Sequence, residues 1–95
     1  MGETLELKQT TQFKKDLRRM VKRGADMNLL DEVISLLLER KQLPDKYRDH
    51  PLSGDWAGYR DCHVLLDWLL IYMINDDALI LTATRTGTHS DIFQR

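Results

Sequence analysis

The sequence predicts a mixed α and β protein, with its helices in the first half and most of its strands in the second half. Apolar and polar residues alternate with period two over residues 4–9, which is typical of a half-buried strand. Two segments with helically spaced apolar residues follow, on either side of Gly24. From residue 59 to residue 84, short apolar runs alternate with turn-forming residues, which indicates β structure.

The first helix is predicted to begin after Thr10 or Thr11, because either side chain can accept a backbone N–H bond as an N-cap. Its apolar stripe has residues spaced four, three and one apart, namely Phe13, Leu17, Met20 and Val21. Gly24 suits the left-handed position that ends a helix. The second helix is predicted to be capped by Asn28 and to stop before Pro44, so the two helices form a hairpin.

A loop rich in turn formers is predicted from Asp45 through Gly58, followed by strands at residues 59–64, 68–74 and 78–84. We expect a turn at residues 75–77 and an irregular tail at residues 85–93. By pattern alone, residues 64–74 could instead form one long strand or a helix. In a single strand His63 and Asp67 would lie about 13 Å apart. A turn near Leu65 and Leu66 would bring Asp67 back toward His63.

Size and composition limit the possible classes of protein. A chain of 95 residues indicates a single domain, residues 1–95, with one core and a shallow surface groove for any active site. The single cysteine, Cys62, cannot form an internal disulfide and indicates a reducing cytoplasm. No signal peptide is visible, and the longest apolar stretch is interrupted by Asp67 and too short to span a bilayer. We therefore expect a cytoplasmic protein without a membrane partner.

The net charge of −1 is unevenly distributed along the chain. Residues 1–48 carry eleven basic and eight acidic side chains, and residues 49–95 carry three basic and seven acidic ones. Six basic residues are concentrated in the first predicted helix: Lys14, Lys15, Arg18, Arg19, Lys22 and Arg23. Such a cluster can attract the phosphates of a nucleic acid, or it can simply be a solvated helix face.

The three histidines, His50, His63 and His89, all lie in predicted loops or near strand ends. Each alone is compatible with a surface or turn residue. Together with Asp67 they could bind zinc, although no pair has a recurring ligand spacing. Alternatively, they could catalyse RNA cleavage, which needs a base for the 2′-hydroxyl and an acid for the leaving 5′-oxygen.

RNA cleavage also needs a group that stabilises the charge on the phosphate, and Arg60 or Arg85 could supply it. The rings of Tyr59, Trp68 and Phe93 could stack on splayed bases. The alternative interpretation is that Trp68 and Phe93 belong to the core. Cys62 is interpreted as a structural thiol.

Four runs in the second half of the chain carry a family resemblance. They are YRDHPL at residues 47–52, WAGYRDCH at 56–63, DWLLIY at 67–72 and RTGTHSDIF at 85–93. In order and spacing they resemble the YafQ branch of the RelE/ParE toxin superfamily. The resemblance implies a compact α+β domain, with a helical hairpin packed on a small, twisted, mainly antiparallel sheet. It also implies a type II toxin that cleaves mRNA in the ribosomal A site without a metal or other cofactor.

The resemblance further implies roles for individual residues. The acid–base and phosphate-contacting set comprises His50, His63, Asp67 and His89. The substrate-binding positions are Asp61, Trp68, Arg85 and Phe93. The six basic residues of the first helix then serve ribosome binding. The implied partners are the ribosome with its mRNA and an antitoxin protein. The antitoxin often carries a ribbon-helix-helix DNA-binding half, and operator DNA is bound only through it.

The chain departs from its relatives where they often place a polar or charged residue and a proline before the aspartate. Here Leu65 and Leu66 occupy those positions, so the turn before Asp67 is expected to be less rigid. Two alternatives remain beside the endoribonuclease. One is a catalytically silent module of the same fold that binds a partner, and the other is a metal-binding regulator.

Overall fold

The computed structural model describes residues 3–93, and within them three α-helices accompany one five-stranded sheet. In chain order the elements are β1 (Glu6–Gln9), α1 (Thr11–Lys22), α2 (Met27–Leu38), β2 (His50–Pro51), β3 (Arg60–Leu65), β4 (Trp68–Asn75), β5 (Ile80–Gly87) and α3 (His89–Phe93). The strand order is β1-β5-β4-β3-β2, and β1 pairs with β5 in parallel while the other neighbours are antiparallel. The predicted α+β class and the mainly antiparallel sheet are confirmed.

Helix α1 begins as the sequence predicts. The Thr10 hydroxyl oxygen accepts a hydrogen bond from the Phe13 N–H at 2.9 Å, and its own proton is donated to the Thr84 carbonyl at 2.8 Å. One side chain therefore caps α1 and ties its start to β5. Gly24 follows the helix with a φ of +84°, which is the left-handed conformation expected after a helix end.

Helix α2 begins earlier than predicted and stops before Pro44, as predicted. Asp26, not Asn28, is the N-cap, since its carboxylate accepts a hydrogen bond from the Asn28 N–H at 3.0 Å. The prediction of Asn28 as the cap was wrong because the cap must precede the free N–H groups of the first turn. The helix ends at Leu38, well before Pro44, and Arg40 then takes a left-handed conformation with a φ of +59°.

The sheet buries side chains on both of its faces. Helices α1 and α2 cover one face and complete the main core there, which includes Phe13, Val33, Leu70, Tyr72 and Leu81. On the opposite face Leu69 and Ile71 form a smaller cluster with Ile92 of α3. The central strand β4 is therefore buried on both sides, which explains its almost continuous apolar run.

Two segments near the candidate site needed the structure to define them. Leu65 of β3 pairs with Trp68 of β4, so the chain reverses at Leu66 and Asp67, as the predicted turn requires. The prediction of an irregular tail was wrong, because residues 85–87 continue β5 and residues 89–93 form α3. No helix within residues 3–93 has the length and apolar character needed to cross a membrane.

Candidate active site

The three histidines form a row at one end of the sheet. His50 lies in β2, His63 in β3, and His89 is the first residue of α3. The ring centroids of His50 and His63 are 6.5 Å apart, and those of His63 and His89 are 5.7 Å apart. His63 lies opposite Leu69 in the β3–β4 register, which places it on the face that carries the smaller apolar cluster. The structure thus brings together the histidines that the sequence separates.

Each imidazole has its Nδ1 atom within hydrogen-bond distance of an oxygen that can only accept. The partners are the Arg48 carbonyl at 2.7 Å for His50, the Leu66 carbonyl at 3.2 Å for His63 and the Asp67 carboxylate at 2.6 Å for His89. A carbonyl or carboxylate oxygen requires the proton to be on Nδ1. In the neutral state of each ring, Nε2 is therefore the basic nitrogen.

Asp67 is bound to His89 twice. One carboxylate oxygen accepts from the His89 ring at 2.6 Å and from the His89 backbone N–H at 3.0 Å. The hydrogen bond from the His89 side chain lowers the pKa of Asp67 below its usual value. The turn does bring Asp67 back to the histidine row, but its carboxylate binds His89, while the turn carbonyl of Leu66 faces His63.

Asp61 lies buried behind the histidine row, with 4% of its surface exposed. It is opposite His50 in the β2–β3 register, and its Oδ2 atom is 3.7 Å from His50 Nε2. Its Oδ1 atom makes no hydrogen bond to any described residue. Burial raises the pKa of Asp61, although the nearby imidazoles of His50, His63 and His89 oppose this shift.

The aromatic residues divide between core and surface. Trp68 is 3% exposed, packs in the main core, and donates a hydrogen bond from its indole nitrogen to the Thr86 hydroxyl at 2.9 Å. Its ring has no free face for a base, so the structure supports its interpretation as a core residue. Phe93 is partly buried, with its ring 6.4 Å from His89 and 6.0 Å from Trp56. Sequence reasoning missed Trp56, whose only signal was an aromatic residue within a turn-rich loop.

Both arginines proposed to stabilise the phosphate are paired with carboxylates. Arg85 forms two hydrogen bonds with the fully buried Asp16, at 2.7 and 3.3 Å. Arg60 forms two with Asp49, at 3.1 and 3.3 Å, and this contact raises the pKa of Arg60. Both guanidinium groups therefore already have charged partners within the protein, and neither presents an unpaired cation to a phosphate.

The basic residues of α1 separate into two groups. Arg19 and Arg23 form ion pairs with Asp91 of α3, at 3.4 and 2.6 Å. The other four form no ion pair within residues 3–93, and we refer to them as the basic edge: Lys14, Lys15, Arg18 and Lys22. Among the basic residues of α1, only the basic edge therefore presents cations without an ion-pair partner in residues 3–93.

The described part of the chain contains no cluster of three or more histidine, cysteine, aspartate or glutamate residues arranged to bind a metal ion. Asp67 is directed to His89, and Asp61 is buried behind the row. Cys62 is fully buried, and burial raises the pKa of its thiol far above the usual value, so it is a structural residue as predicted.

This fold is shared with small bacterial toxins of known structure. The E. coli DinJ–YafQ toxin–antitoxin complex contains a chain with a TM-score of 0.86 and 43% identity, covering 95% of this chain and 98% of that one. A metal-bound toxin from Helicobacter pylori has a TM-score of 0.89 and 39% identity, covering 94% of this chain and 99% of that one. The chain thus has the structure of a type II system toxin.

The sequence comparisons identify the family. The family model described as the bacterial toxin of type II toxin–antitoxin system, YafQ, matches residues 5–94. The mRNA interferase toxin YafQ of E. coli strain K12 is 44% identical over 89 residues, which cover 93% of this chain and 95% of that protein. The chain belongs to the YafQ toxin family, whose curated E. coli members are mRNA interferases. The resemblance noted in the sequence is confirmed.

Proposed function

We propose that this chain is a ribosome-dependent endoribonuclease that cleaves mRNA in the A site by metal-independent acid–base chemistry. The observation that carries the proposal is the histidine row, in which every Nδ1 atom is held by an acceptor and Nε2 remains for proton transfer. Imidazoles titrate near neutrality, so two rings of the row can act as base and acid in one turnover.

In the proposed reaction the 2′-oxygen attacks the adjacent phosphorus and the bond from phosphorus to the 5′-oxygen breaks. We assign the base to His89, whose Nε2 takes the 2′-hydroxyl proton while Asp67 stabilises the resulting imidazolium through Nδ1. We assign the acid to His50, at the other end of the row, whose Nε2 lies 3.7 Å from the carboxylate of Asp61 and donates its proton to the leaving 5′-oxygen. His63, between them, contacts the phosphate. The product is a 2′,3′-cyclic phosphate and a 5′-hydroxyl.

Two features support an RNA substrate presented by the ribosome. The site is a shallow row on the sheet surface, with Phe93 and Trp56 beside His89 for contact with an unstacked base. The basic edge offers four cations without internal partners, which suits ribosomal RNA phosphates. The net charge of −1 makes general attraction to RNA weak, so a positioned substrate is needed.

We infer a cognate antitoxin as the second partner. The support is the solved DinJ–YafQ complex, whose toxin chain is 43% identical to this one over 95% of its length. A ribbon-helix-helix antitoxin would also supply the only route to operator DNA. Because the proposed substrate is mRNA bound to the ribosome, we expect the toxin to act in the cytoplasm.

The deciding experiment maps mRNA 5′ ends in a translation extract, with and without assembled ribosomes, after adding purified protein. A chelator is then tested on isolated programmed ribosomes, at a concentration that binds trace transition metals but preserves the Mg²⁺ that ribosomes need. We expect new 5′-hydroxyl ends only with ribosomes, undiminished by the chelator and absent with His89→Ala. Ends that disappear with the chelator and return with added metal would favour the metal-dependent alternative, which the metal-bound Helicobacter pylori relative makes worth testing. An absence of ends would favour the silent binding module.

A further inference from the structure

The carboxylate of Asp91 joins helix α1 to the start of helix α3. Arg23 donates two hydrogen bonds to it, at 2.6 and 3.1 Å, and the Arg19 guanidinium lies 3.4 Å away. The same carboxylate accepts a bond from the Thr88 N–H at 2.9 Å, while the Asp91 N–H donates to the Thr88 hydroxyl at 3.1 Å. This reciprocal pair is a capping box, and it fixes the residue that directly precedes His89.

The backbone before Thr88 is shaped to admit Asp91. Gly87 has a φ of +149°, and a Cβ atom at this position would lie 2.9 Å from Asp91 Oδ2 and 3.0 Å from Asp91 Cβ. Only glycine therefore allows this approach without a shift of the chain. The contact is specific to one geometry of α3 relative to β5, and it is not simply an encounter between surface charges.

We propose that Asp91, Arg23 and Arg19 form a clamp that positions His89 for proton transfer, so that Arg19 and Arg23 leave RNA docking to the four residues of the basic edge. The inference rests on the proposed function. Asp67 holds the His89 ring and the His89 backbone N–H from the β3–β4 turn, and the clamp holds Thr88, the residue before His89, from α1. Two supports from different elements fix both the position and the orientation of the ring. Asp91, Arg23 and Arg19 are positioning residues, since none of them contacts the reacting atoms.

The clamp predicts different kinetic effects for Arg23, at the C-cap of α1, and for Arg18 of the basic edge. Arg23→Gln and Asp91→Ala should lower kcat on programmed ribosomes by about 10-fold to 100-fold with little change in KM, because misplacement of a catalytic group by about 1 Å costs on that order. Arg18→Gln should raise KM and weaken ribosome association, with kcat kept. Arg40→Gln is the control, since Arg40 is about as exposed as Arg23 and its ion pair, with Asp76 at 2.7 Å, lies away from the site. It should change neither quantity.

A spectroscopic measurement tests the clamp without cleavage. In protein with ¹⁵N-labelled histidine, the Nδ1 proton of His89 should be protected by Asp67 in the original chain and in Arg40→Gln. It should exchange faster in Arg23→Gln and Asp91→Ala, and Arg23→Lys should restore part of the protection and of kcat. Unfolding curves identify any variant that has lost its fold. If Asp91→Ala is unfolded, Asp91→Asn takes its place, because its side-chain oxygen can keep the capping box. Unchanged kcat and unchanged exchange in these variants would overturn the clamp. Failure of the original chain to cleave RNA would refute the proposed function, while the exchange result would still test the clamp.

Discussion

Replacing Asp16 with alanine tests the buried ion pair that joins helix α1 to strand β5. The Asp16 side chain is fully buried and accepts hydrogen bonds from Arg85, from Gln12 at 3.0 Å and from the Thr86 N–H at 3.2 Å. Its removal leaves the Arg85 guanidinium, only 19% exposed, without its charged partner. Breaking such a pair costs about 3–5 kcal/mol. The residual exposure of Arg85 places our expectation near the lower limit, at about 3 kcal/mol.

The assay is urea unfolding at neutral pH, followed by the fluorescence of the buried Trp68 and by circular dichroism. Asp76→Ala is the control, because Asp76 also pairs with an arginine but is 72% exposed. An exposed pair contributes about 0–1 kcal/mol. Equal losses in the two variants would refute the reasoning that burial makes the Asp16 contact strong. Asp16→Leu combined with Arg85→Met should be less destabilising than Asp16→Ala, since no unpaired charge is then buried.

The pH dependence supplies an independent check. Burial alone would raise the pKa of Asp16, but hydrogen bonds from Arg85, Gln12 and Thr86 outweigh it and lower the pKa below the ordinary value of 3.8. A lowered pKa in the folded state means that the stabilisation is present above the ordinary pKa and is lost as the pH falls toward the folded value. The original chain should therefore lose stability below about pH 4 more steeply than Asp16→Ala.

Three further predictions concern the histidine row, the basic edge and the buried indole. His89→Ala and Asp67→Ala should each lower kcat by about 10²–10⁴-fold in single-turnover cleavage assays, as loss of a general acid or base does. The double substitution should lower kcat by much less than the product of the two single effects. Replacing three residues of the basic edge with glutamine should reduce the salt slope of ribosome binding by about 0.7–0.9 for each phosphate that the protein no longer neutralises, as measured by co-sedimentation; an unchanged slope would assign the basic edge to solvation. Trp68→Phe should lower the free energy of unfolding by about 1–3 kcal/mol, because the Thr86 hydroxyl loses a buried partner; a change confined to KM would instead favour a substrate role.

Local sequence signals predicted much of the fold because they depend on neighbouring residues alone. The Thr10 cap, the left-handed Gly24 and the alternation before residue 9 all appear in the structure. The end of β5 and the short helix α3 escaped prediction because tertiary contacts define them. Thr86 is buried by Trp68 and Asp16, and neither contact leaves a periodic pattern in the sequence.

The candidate site was predicted in composition but not in arrangement. The family motifs identified the histidines and Asp67 as site residues. The pairing of Asp67 with His89 could be recognised only from the structure, in which the chain reverses at Leu66. The burial of Asp16 could not be predicted from charge, because an acidic residue within a basic cluster resembles an ordinary surface residue. Its burial depends on Arg85, which lies 69 residues away in the chain. Likewise, the sequence gives no reason to separate Arg19 and Arg23 from the other basic residues, because their partner Asp91 is distant in the chain.

The parallel pairing of β1 with β5 has a consequence for synthesis of the protein. The first described strand completes its hydrogen bonds only with the last, and the bond from Thr10 to Thr84 spans 74 residues. Contacts so distant in sequence form late, after the intervening chain has emerged. His89 follows β5 directly, so the histidine row is assembled only when almost the whole described chain has left the ribosome that makes it. Under the proposed function, a partly synthesised chain therefore lacks cleavage activity until His89 has emerged.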